Sequence, residues 1–217
     1  MMMTARKLWQ AGLAVLAVVT MAPALAGGLE TLENFVKSVK SGKAEFTQVS
    51  TSPARDGQAP KSKTSSGSFE FSRPNKFKFI YKKPFEQSIV ADGQSLWLYD
   101  VDLNQVTVSK QAQALGSTPA ALISSAADLR ALQADFNLTG APDKEGLEWV
   151  VATPKAKEGQ LQSVRVGFRA GTLAVLEILD SFGQKSVLSF NSFQVNPILE
   201  ATAFQFKPPA GADVIRQ

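Results

Sequence analysis

Histidine and cysteine are both absent from the 217 residues of this chain. Their absence excludes disulfides, thiolate and imidazole metal ligands, cysteine nucleophiles and any Ser-His-acid triad. Charged residues are sparse, at 19% of the chain, whereas 44% of the residues are hydrophobic. These proportions indicate a globular protein with a core and exclude a disordered or collagen-like chain. Phe outnumbers the other aromatic residues, with 14 Phe against 2 Tyr and 3 Trp, so an aromatic surface here must be built mainly from phenylalanine.

Residues 1–26 have the pattern of a secretory signal. Arg6 and Lys7 give a positive start, a short apolar run follows, and a small-x-small Ala-Leu-Ala cleavage site ends at Ala26. The apolar run is too short to span a bilayer as a stable helix. We therefore expect cleavage after Ala26, export to a bacterial periplasm, and a mature domain of residues 27–217 that does not insert stably into a membrane.

The charge of the mature chain is nearly balanced. The formal net charge of the whole chain is +4, and the two cations of the signal account for part of it. The remaining cations are interspersed with acidic residues, whereas a nucleic-acid binder needs a concentrated basic face. Gly27 and Gly28 follow the cleavage site, where a bacterial lipoprotein requires a cysteine. We therefore expect a soluble protein that carries no lipid anchor and binds no nucleic acid.

Short stretches of the chain have the apolar spacing of helices. Residues 29–39 place Leu, Phe and Val at helical intervals, with acidic residues early and lysines late, and Gly42 is expected to end this helix. Later, Thr118 and Pro119 predict the start of an alanine-rich helix, and residues 128–132 extend it or form another. Helices this short are marginal alone and must dock on the rest of the fold.

Alternating patterns predict an antiparallel sheet. Aromatic residues alternate with lysine over residues 76–82, which is typical of a strand with one buried face. Asp92-Gly93 separates two further strands and is a strong hairpin signal. Residues 50–66 are rich in Ser, Thr, Pro and Lys, so we expect an exposed, mobile loop there. In all we expect about ten strands in one α+β domain. The later strands are predicted at 135–139, 147–152, 161–168, 173–179 and 186–195.

Two features of this sheet leave more than one interpretation open. Its aromatic face forms either a filled core or the wall of an apolar pocket that the short helices cover. Arg73, in the turn between two of the strands, is either a solvated turn residue or an inward-facing one. An inward guanidinium would bind the free carbonyls at a helix C-terminus. The residues of the aromatic face are Phe69, Phe71, Phe77, Phe79 and Tyr81.

An ordered set of short motifs lies between residues 67 and 106. It reads Arg73-Pro74, an aromatic strand, Pro84, Gln87-Ser88-Ile89-Val90, Asp92-Gly93 and Leu96-Trp97-Leu98-Tyr99-Asp100. In this order the motifs resemble the outer-membrane lipoprotein carrier (LolA) family, and the Thr-Pro-Ala helix start and the Phe-Gln-Phe-Lys-Pro-Pro ending agree with it. One departure is Phe79, where many relatives would have Trp; the substitution keeps the wall aromatic.

The resemblance implies an incomplete, half-open β-barrel with a lid of short α-helices over an apolar cavity. It implies a periplasmic monomer without cofactor or metal that catalyses no reaction. Such a carrier receives acylated lipoproteins from an inner-membrane ABC transporter and passes them to an outer-membrane receptor. By position, Arg73 would latch the lid and Phe77 would lie where transfer from the transporter is sensed. The lining residues expected for the cavity are Phe69, Phe71, Phe77, Phe79, Tyr81, Ile89, Trp97, Leu122 and Ile123.

Other functions remain as alternatives at this point. Residues 100–104 begin like a calcium loop, but the sixth position lacks the required Gly, and Gln111 stands where the bidentate Glu should be. A nucleophile elbow is absent from the sequence, so nothing favours an enzyme. A related half-barrel acting as lipoprotein receptor or lipoprotein sensor is a second alternative. A filled barrel that only binds protein is a third.

Overall fold

The computed structural model describes residues 27–54, 57–112, 119–124, 128–157 and 159–217. The signal expected at residues 1–26 and the helix start expected at Thr118 lie outside these ranges. The helices are α1 (Gly27–Ser38), α2 (Pro119–Ser124) and α3 (Leu129–Asp135). The strands are β1 (Ser41–Thr51), β2 (Ser62–Ser72), β3 (Lys76–Lys83), β4 (Gln87–Asp92), β5 (Ser95–Asp100), β6 (Gln105–Lys110), β7 (Phe136–Lys144), β8 (Leu147–Pro154), β9 (Leu161–Arg169), β10 (Thr172–Asp180), β11 (Lys185–Val195) and β12 (Asp213–Arg216).

All twelve strands form one sheet in the order β12-β6-β5-β4-β3-β2-β1-β11-β10-β9-β8-β7. Each pair of neighbours is antiparallel except β12 and β6, which are parallel. The sheet is open, with β12 at one edge and β7 at the other. The predicted antiparallel α+β architecture is therefore confirmed, and the sheet does not close into a barrel.

Tight turns join most of the neighbouring strands, as the sequence predicts. The Asp92-Gly93 hairpin joins β4 to β5, and Gly93 has a φ of 103°, a left-handed value that favours glycine. Asp92 Oδ1 accepts hydrogen bonds from the backbone N–H groups of Gln94 and Ser95 at 2.8 and 2.7 Å. The carboxylate thus completes the turn that the sequence indicates.

The loop expected at 50–66 is shorter in the structure, because only residues 52–61 lie between β1 and β2. β1 continues to Thr51, and β2 begins at Ser62, where the two residues pair and their hydroxyls lie 2.9 Å apart. Serine and threonine pair well across antiparallel strands at an end of the sheet where neither face needs a large apolar side chain. Polar composition was therefore a poor guide to the loop boundary.

β12 is the strand that the sequence pattern missed. It pairs with β6 through a register in which Asp213 lies opposite Gln105. The pairing extends over only four residues, and all of β12 is exposed. A short exposed strand formed by such a distant pairing leaves no local alternation to detect.

The core lies on one face of the sheet, and the helices pack there. α1 contacts β7, β8 and β9 and buries Leu32, Phe35 and Val36. Gly28 of α1 lies against the backbone of Trp149, where a Cβ atom has no room, so glycine permits the close approach. α2 contacts β2 and β3, and α3 contacts β7 and α1. No helix in the described residues has the length and apolar character needed to cross a membrane.

Ion pairs cover the opposite, outer face of the sheet. Glu70 lies 2.9 Å from Lys43 and 3.0 Å from Lys78, so its carboxylate joins three neighbouring strands. Burial would raise the pKa of Glu70, but hydrogen bonds and charges from the two lysines outweigh burial and hold that pKa below its usual value. The lysine face of β3 is thus partly engaged in holding the sheet together.

Candidate functional site

An apolar recess of about 310 Å³ opens on the inner face of the sheet. Strands β3, β4 and β5 supply one wall, and β10 and β11 supply the other. The volume is at the lower end of the roughly 300–1,000 Å³ found for ligand pockets. Its lining residues are Gln48, Phe77, Phe79, Tyr81, Ile89, Leu96, Leu98, Leu176, Ile178, Ser186 and Leu188.

Strand register explains why these side chains meet. Phe79 on β3 pairs with Ile89 on β4, and Ile89 pairs with Leu98 on β5. Directly paired residues of antiparallel strands point to the same face, so the three side chains form one apolar row across the sheet. Phe77 lies two residues before Phe79 and therefore extends the wall toward the next row.

The aromatic face predicted from the sequence divides between recess and core. Phe77, Phe79 and Tyr81 line the recess, whereas Phe69 and Phe71 are fully buried behind it. The Phe69 and Phe79 rings stack with centroids 4.4 Å apart. The filled-core interpretation therefore describes Phe69 and Phe71, and the pocket interpretation describes the β3 residues.

Leu122 and Ile123 of α2 are both buried in the same core as these phenylalanines. They do not line the recess itself. Because α2 contacts β2 and β3, the two side chains hold this helix onto the aromatic strands from above.

The structure places Trp97 outside the recess, contrary to its expected position in the lining. Its ring lies 5.5 Å from that of Phe206, and its indole N–H donates to Asp92 Oδ2 at 3.0 Å. Side chains alternate along a strand, so Trp97 must face away from Leu96 and Leu98, which do line the recess. The prediction of Trp97 as a lining residue is therefore wrong, and Leu96 and Leu98, which were not predicted, line the recess instead.

The sequence left two orientations of Arg73 open, solvated or inward-facing, and the structure has the inward-facing one. Its Nη1 donates a hydrogen bond to the carbonyl oxygen of Val39, directly after α1, and its guanidinium carbon lies 5.2 and 5.1 Å from the ring centroids of Phe35 and Phe71. Its Nε and Nη2 atoms are buried without hydrogen-bond partners among the described residues. Burial lowers the pKa of Arg73 to about 10.

A second connection joins the Arg73 turn to α2. The backbone N–H of Asn75 donates to the carbonyl oxygen of Ser124 at 2.9 Å. Gln111 is 1% exposed, and its side chain donates to the Asn75 carbonyl and accepts from the Gly93 N–H at 2.8 Å. This role of Gln111 was not predicted, because no periodic pattern in a sequence distinguishes a buried glutamine.

Polar side chains border the recess at the end of the sheet opposite the Arg73 turn. Tyr81 donates to Gln48 Oε1 at 2.8 Å, Gln48 Nε2 donates to Ser50 Oγ at 2.9 Å, and the hydroxyls of Ser50 and Ser186 lie 2.8 Å apart. Burial raises the pKa of Tyr81 to about 12, so its hydroxyl keeps its proton. We call Gln48, Ser50, Tyr81 and Ser186 the polar collar. No pattern in the sequence indicates it.

The arrangement is suited to holding an apolar ligand. Its walls are mainly aliphatic or aromatic, and polar atoms are confined to the collar. Within the ranges described above, no three acidic side chains gather closely enough to hold a metal ion. The chemistry that this geometry supports is reversible burial of hydrocarbon.

Comparison with known proteins gives a consistent set of similarities. The family model described as "Outer membrane lipoprotein carrier protein LolA" matches residues 37–207. A protein of Albidiferax ferrireducens named outer-membrane lipoprotein carrier protein is 74% identical over 196 residues, which cover 88% of this chain and 92% of that protein. A protein of the same name from Methylibium petroleiphilum is 54% identical over 211 residues, covering 97% and 98%.

A solved structure supports the fold alone. An uncharacterized conserved protein from Thermus thermophilus superposes with a TM-score of 0.50 at 13% identity, covering 88% of this chain and 98% of that one. The likeness of such distant sequences concerns the sheet and its helices, not the ligand.

Proposed function

Because the chain belongs to the LolA family of outer-membrane lipoprotein carriers, we propose that it shelters the acyl chains of lipoproteins during their passage through the periplasm. The mature domain, residues 27–217, works there as a soluble monomer after removal of residues 1–26. It takes lipoproteins released by an inner-membrane ABC transporter and delivers them to an outer-membrane receptor. The work consists of binding and release, without catalysis.

The apolar recess is the observation that carries this proposal. A triacylated terminus has on the order of 40 methylenes, and exposure of each to water costs about 0.8 kcal/mol. Their total of roughly 30 kcal/mol makes free diffusion through water prohibitive. A recess walled by Phe79, Ile89 and Leu98 offers the hydrocarbon surroundings that such chains need.

The recess must enlarge to hold its cargo. If a methylene needs about the 30 Å³ that a water molecule takes in the liquid, 40 of them need roughly 1,200 Å³. The recess has about 310 Å³. The surplus volume comes from displacing α2 and α3, which have six and seven residues and are stable only while docked. These helices act as the lid.

Arg73 acts as the latch of the closed state. It binds the carbonyl after α1, while its turn binds the end of α2 through Asn75. A hydrogen bond from a charged group contributes about 1.5–3 kcal/mol. Two of its nitrogens are buried without partners among the described residues, which offsets part of that stabilisation. Closure is therefore weak enough for cargo to reverse it.

Phe77 is the residue through which transfer is sensed. It is 2% exposed in the closed structure and lies on β3, one of the two strands that α2 contacts. Opening of α2 exposes its ring at the edge of the enlarged cavity. A partner that contacts Phe77 therefore meets the carrier only in its open state.

The proposal is tested with spheroplasts that carry a radiolabelled outer-membrane lipoprotein. Purified residues 27–217 should move the label into the supernatant as a soluble complex, whereas bovine serum albumin at the same concentration controls for nonspecific extraction. An acylated peptide should also displace an apolar fluorophore from the protein. A filled barrel that binds only protein would bind no fluorophore, and label that stays with the spheroplasts would reject the carrier function.

A further inference from the structure

A polar groove of about 720 Å³ continues from the apolar recess. It lies across one end of the sheet, opposite the end that carries Arg73. Its walls come from the ends of strands β1 to β5, from the segments that join β1 to β2, β3 to β4 and β5 to β6, and from the residue before β11. Its lining residues are Gln48, Ser50, Ser52, Lys61, Ser62, Lys63, Ser65, Tyr81, Pro84, Phe85, Gln87, Asp100, Asp102, Leu103 and Gln184.

The groove and the recess share two residues. Gln48 and Tyr81 line both, and the hydrogen bond between them lies in the polar collar. On one side of this pair the walls are apolar, and on the other they are mainly serine, glutamine and charged residues. A ligand that passes the collar therefore leaves hydrocarbon surroundings and enters polar ones, as a molecule with an acyl part and a peptide part would.

The length of the groove fits a short peptide. Its lining reaches from β5 through β4, β3, β2 and β1 to the start of β11, which are six neighbouring strands. Five strand spacings of about 4.8 Å give roughly 24 Å along the sheet, and an extended chain covers that distance in about seven residues.

The charge of the groove favours a peptide over an anionic lipid headgroup. Lys61 and Lys63 are matched by Asp100 and Asp102, so the lining has no net formal charge. Hydroxyl and amide groups supply both donors and acceptors, which is what a polypeptide backbone requires. A site for a phosphate group would instead concentrate cations.

We propose that this groove binds the peptide segment that follows the lipidated residue of the cargo, with the polar collar facing the ester and amide carbonyls at the top of the acyl chains. The inference rests on the proposed carrier function and assigns the peptide part of that cargo a site of its own. The groove then orients the lipoprotein so that its folded part leaves the carrier past Leu103 or Gln184.

Two synthetic ligands separate the peptide contribution from the acyl contribution. The first is tripalmitoyl-S-glyceryl-cysteine followed by six residues, and the second is the same lipid ending at the cysteine amide. Dissociation constants come from displacement of an apolar fluorophore. The protein should bind the longer ligand about tenfold more tightly, because only that ligand reaches the groove.

A tryptophan substitution at Ser52 fills the groove without entering the recess. Ser52→Trp should abolish the tenfold preference and leave the dissociation constant of the short ligand within about twofold. Ser189→Trp is the matched control, because Ser189 is exposed on the outer face beside the buried Leu188. It should keep the full preference, and circular dichroism of each variant checks the fold.

The outcomes separate this inference from the carrier function. Equal binding of the two ligands by the unmodified protein, with the fluorophore displaced, leaves the carrier function intact and overturns the peptide site. Equal weakening of the binding of both ligands by Ser52→Trp assigns the groove to the lipid and also overturns the peptide site. Failure of both ligands to displace the fluorophore rejects the carrier function and, with it, the peptide site.

Discussion

The backbone N–H of Asn75 lies 2.9 Å from the carbonyl oxygen of Ser124 and donates a hydrogen bond to it, which joins the β2–β3 turn to the end of α2. Two residues earlier in the same turn, Arg73 binds the carbonyl of Val39 after α1. One turn therefore holds the ends of two helices that cover the sheet. The same three-residue turn therefore contacts both helix ends.

Replacing Arg73 by leucine should weaken closure and stall the release of cargo. Loss of a hydrogen bond worth about 1.5–3 kcal/mol lowers the equilibrium constant for closure by about tenfold or more. The rate at which a labelled lipoprotein passes from the carrier to a purified receptor should fall by a similar factor. Arg169→Leu, at an exposed position that ends β9, is the control and should leave the rate unchanged. Normal transfer by Arg73→Leu would reject the latch.

Replacing Gln111 by leucine should destabilise the protein, because the Gln111 side chain forms a bridge between the turns that contain Asn75 and Gly93. The Asn75 carbonyl and the Gly93 N–H would lose their side-chain partner, and an unsatisfied group of this kind costs about 1–3 kcal/mol. The free energy of unfolding in urea should fall by about that amount. Gln162→Leu, on an exposed position of β9, should change it by less than about 0.5 kcal/mol. Equal effects of the two substitutions would show that the bridge contributes nothing.

Residue alternation predicted most of the sheet and part of the recess. It located β3 and its aromatic face, and with the Asp92-Gly93 turn it predicted the β4–β5 hairpin. It could not orient β5, because residues 96–99 are apolar or aromatic at every position. Both faces of that strand are apolar, because the inner one lines the recess and the outer one packs against Phe206. Only the register shows that Leu96 faces inward and Trp97 outward.

The polar parts of the site were beyond sequence reasoning for a different reason. The collar joins residues of β1, β3 and β11, so its hydrogen bonds exist only after three strands have paired. The same holds for Gln111, whose partners are backbone groups of two turns. Such contacts have no period along the chain, and a serine or glutamine in an isolated strand resembles any solvated residue.

The ion-pair network around Glu70 should make stability fall in acid. The pKa of Glu70 is held below 4.5 in the folded protein, so the unfolded chain binds the proton first as the pH falls. The stabilisation is fully present above pH 4.5, the ordinary value, and is lost as the pH falls through the lower folded value. Glu70→Gln removes it at every pH, at a cost of about 0.5–1 kcal/mol near neutrality.

The unmodified protein and the Glu70→Gln variant should therefore differ most in unfolding free energy near neutral pH. This difference should shrink as the pH falls below the ordinary pKa of a glutamate. Urea titrations on either side of that value measure it. Glu145→Gln is the control, because the Glu145 carboxylate is 74% exposed in the β7–β8 turn, and it should change stability by less than about 0.5 kcal/mol at either pH. A difference for Glu70→Gln that grows toward acid would contradict the depressed pKa.

Narrowing the recess should weaken acyl binding without unfolding the protein. Ile89 lies in the middle of the apolar row, where the larger indole ring of a tryptophan would extend into the recess. Ile89→Trp should weaken binding of an apolar fluorophore by about tenfold or more, because the added ring takes the space of the ligand. It should also reduce the amount of lipoprotein released from spheroplasts.

The control for this substitution is Ile80→Trp. Ile80 lies between Phe79 and Tyr81, so its side chain faces the outer surface of the same strand. Ile80→Trp adds the same volume to β3 and should leave fluorophore binding within about twofold. Thermal unfolding of both variants separates lost binding from lost fold. If Ile89→Trp folds and still binds the fluorophore normally, hydrocarbon enters the protein elsewhere and the recess is not its site.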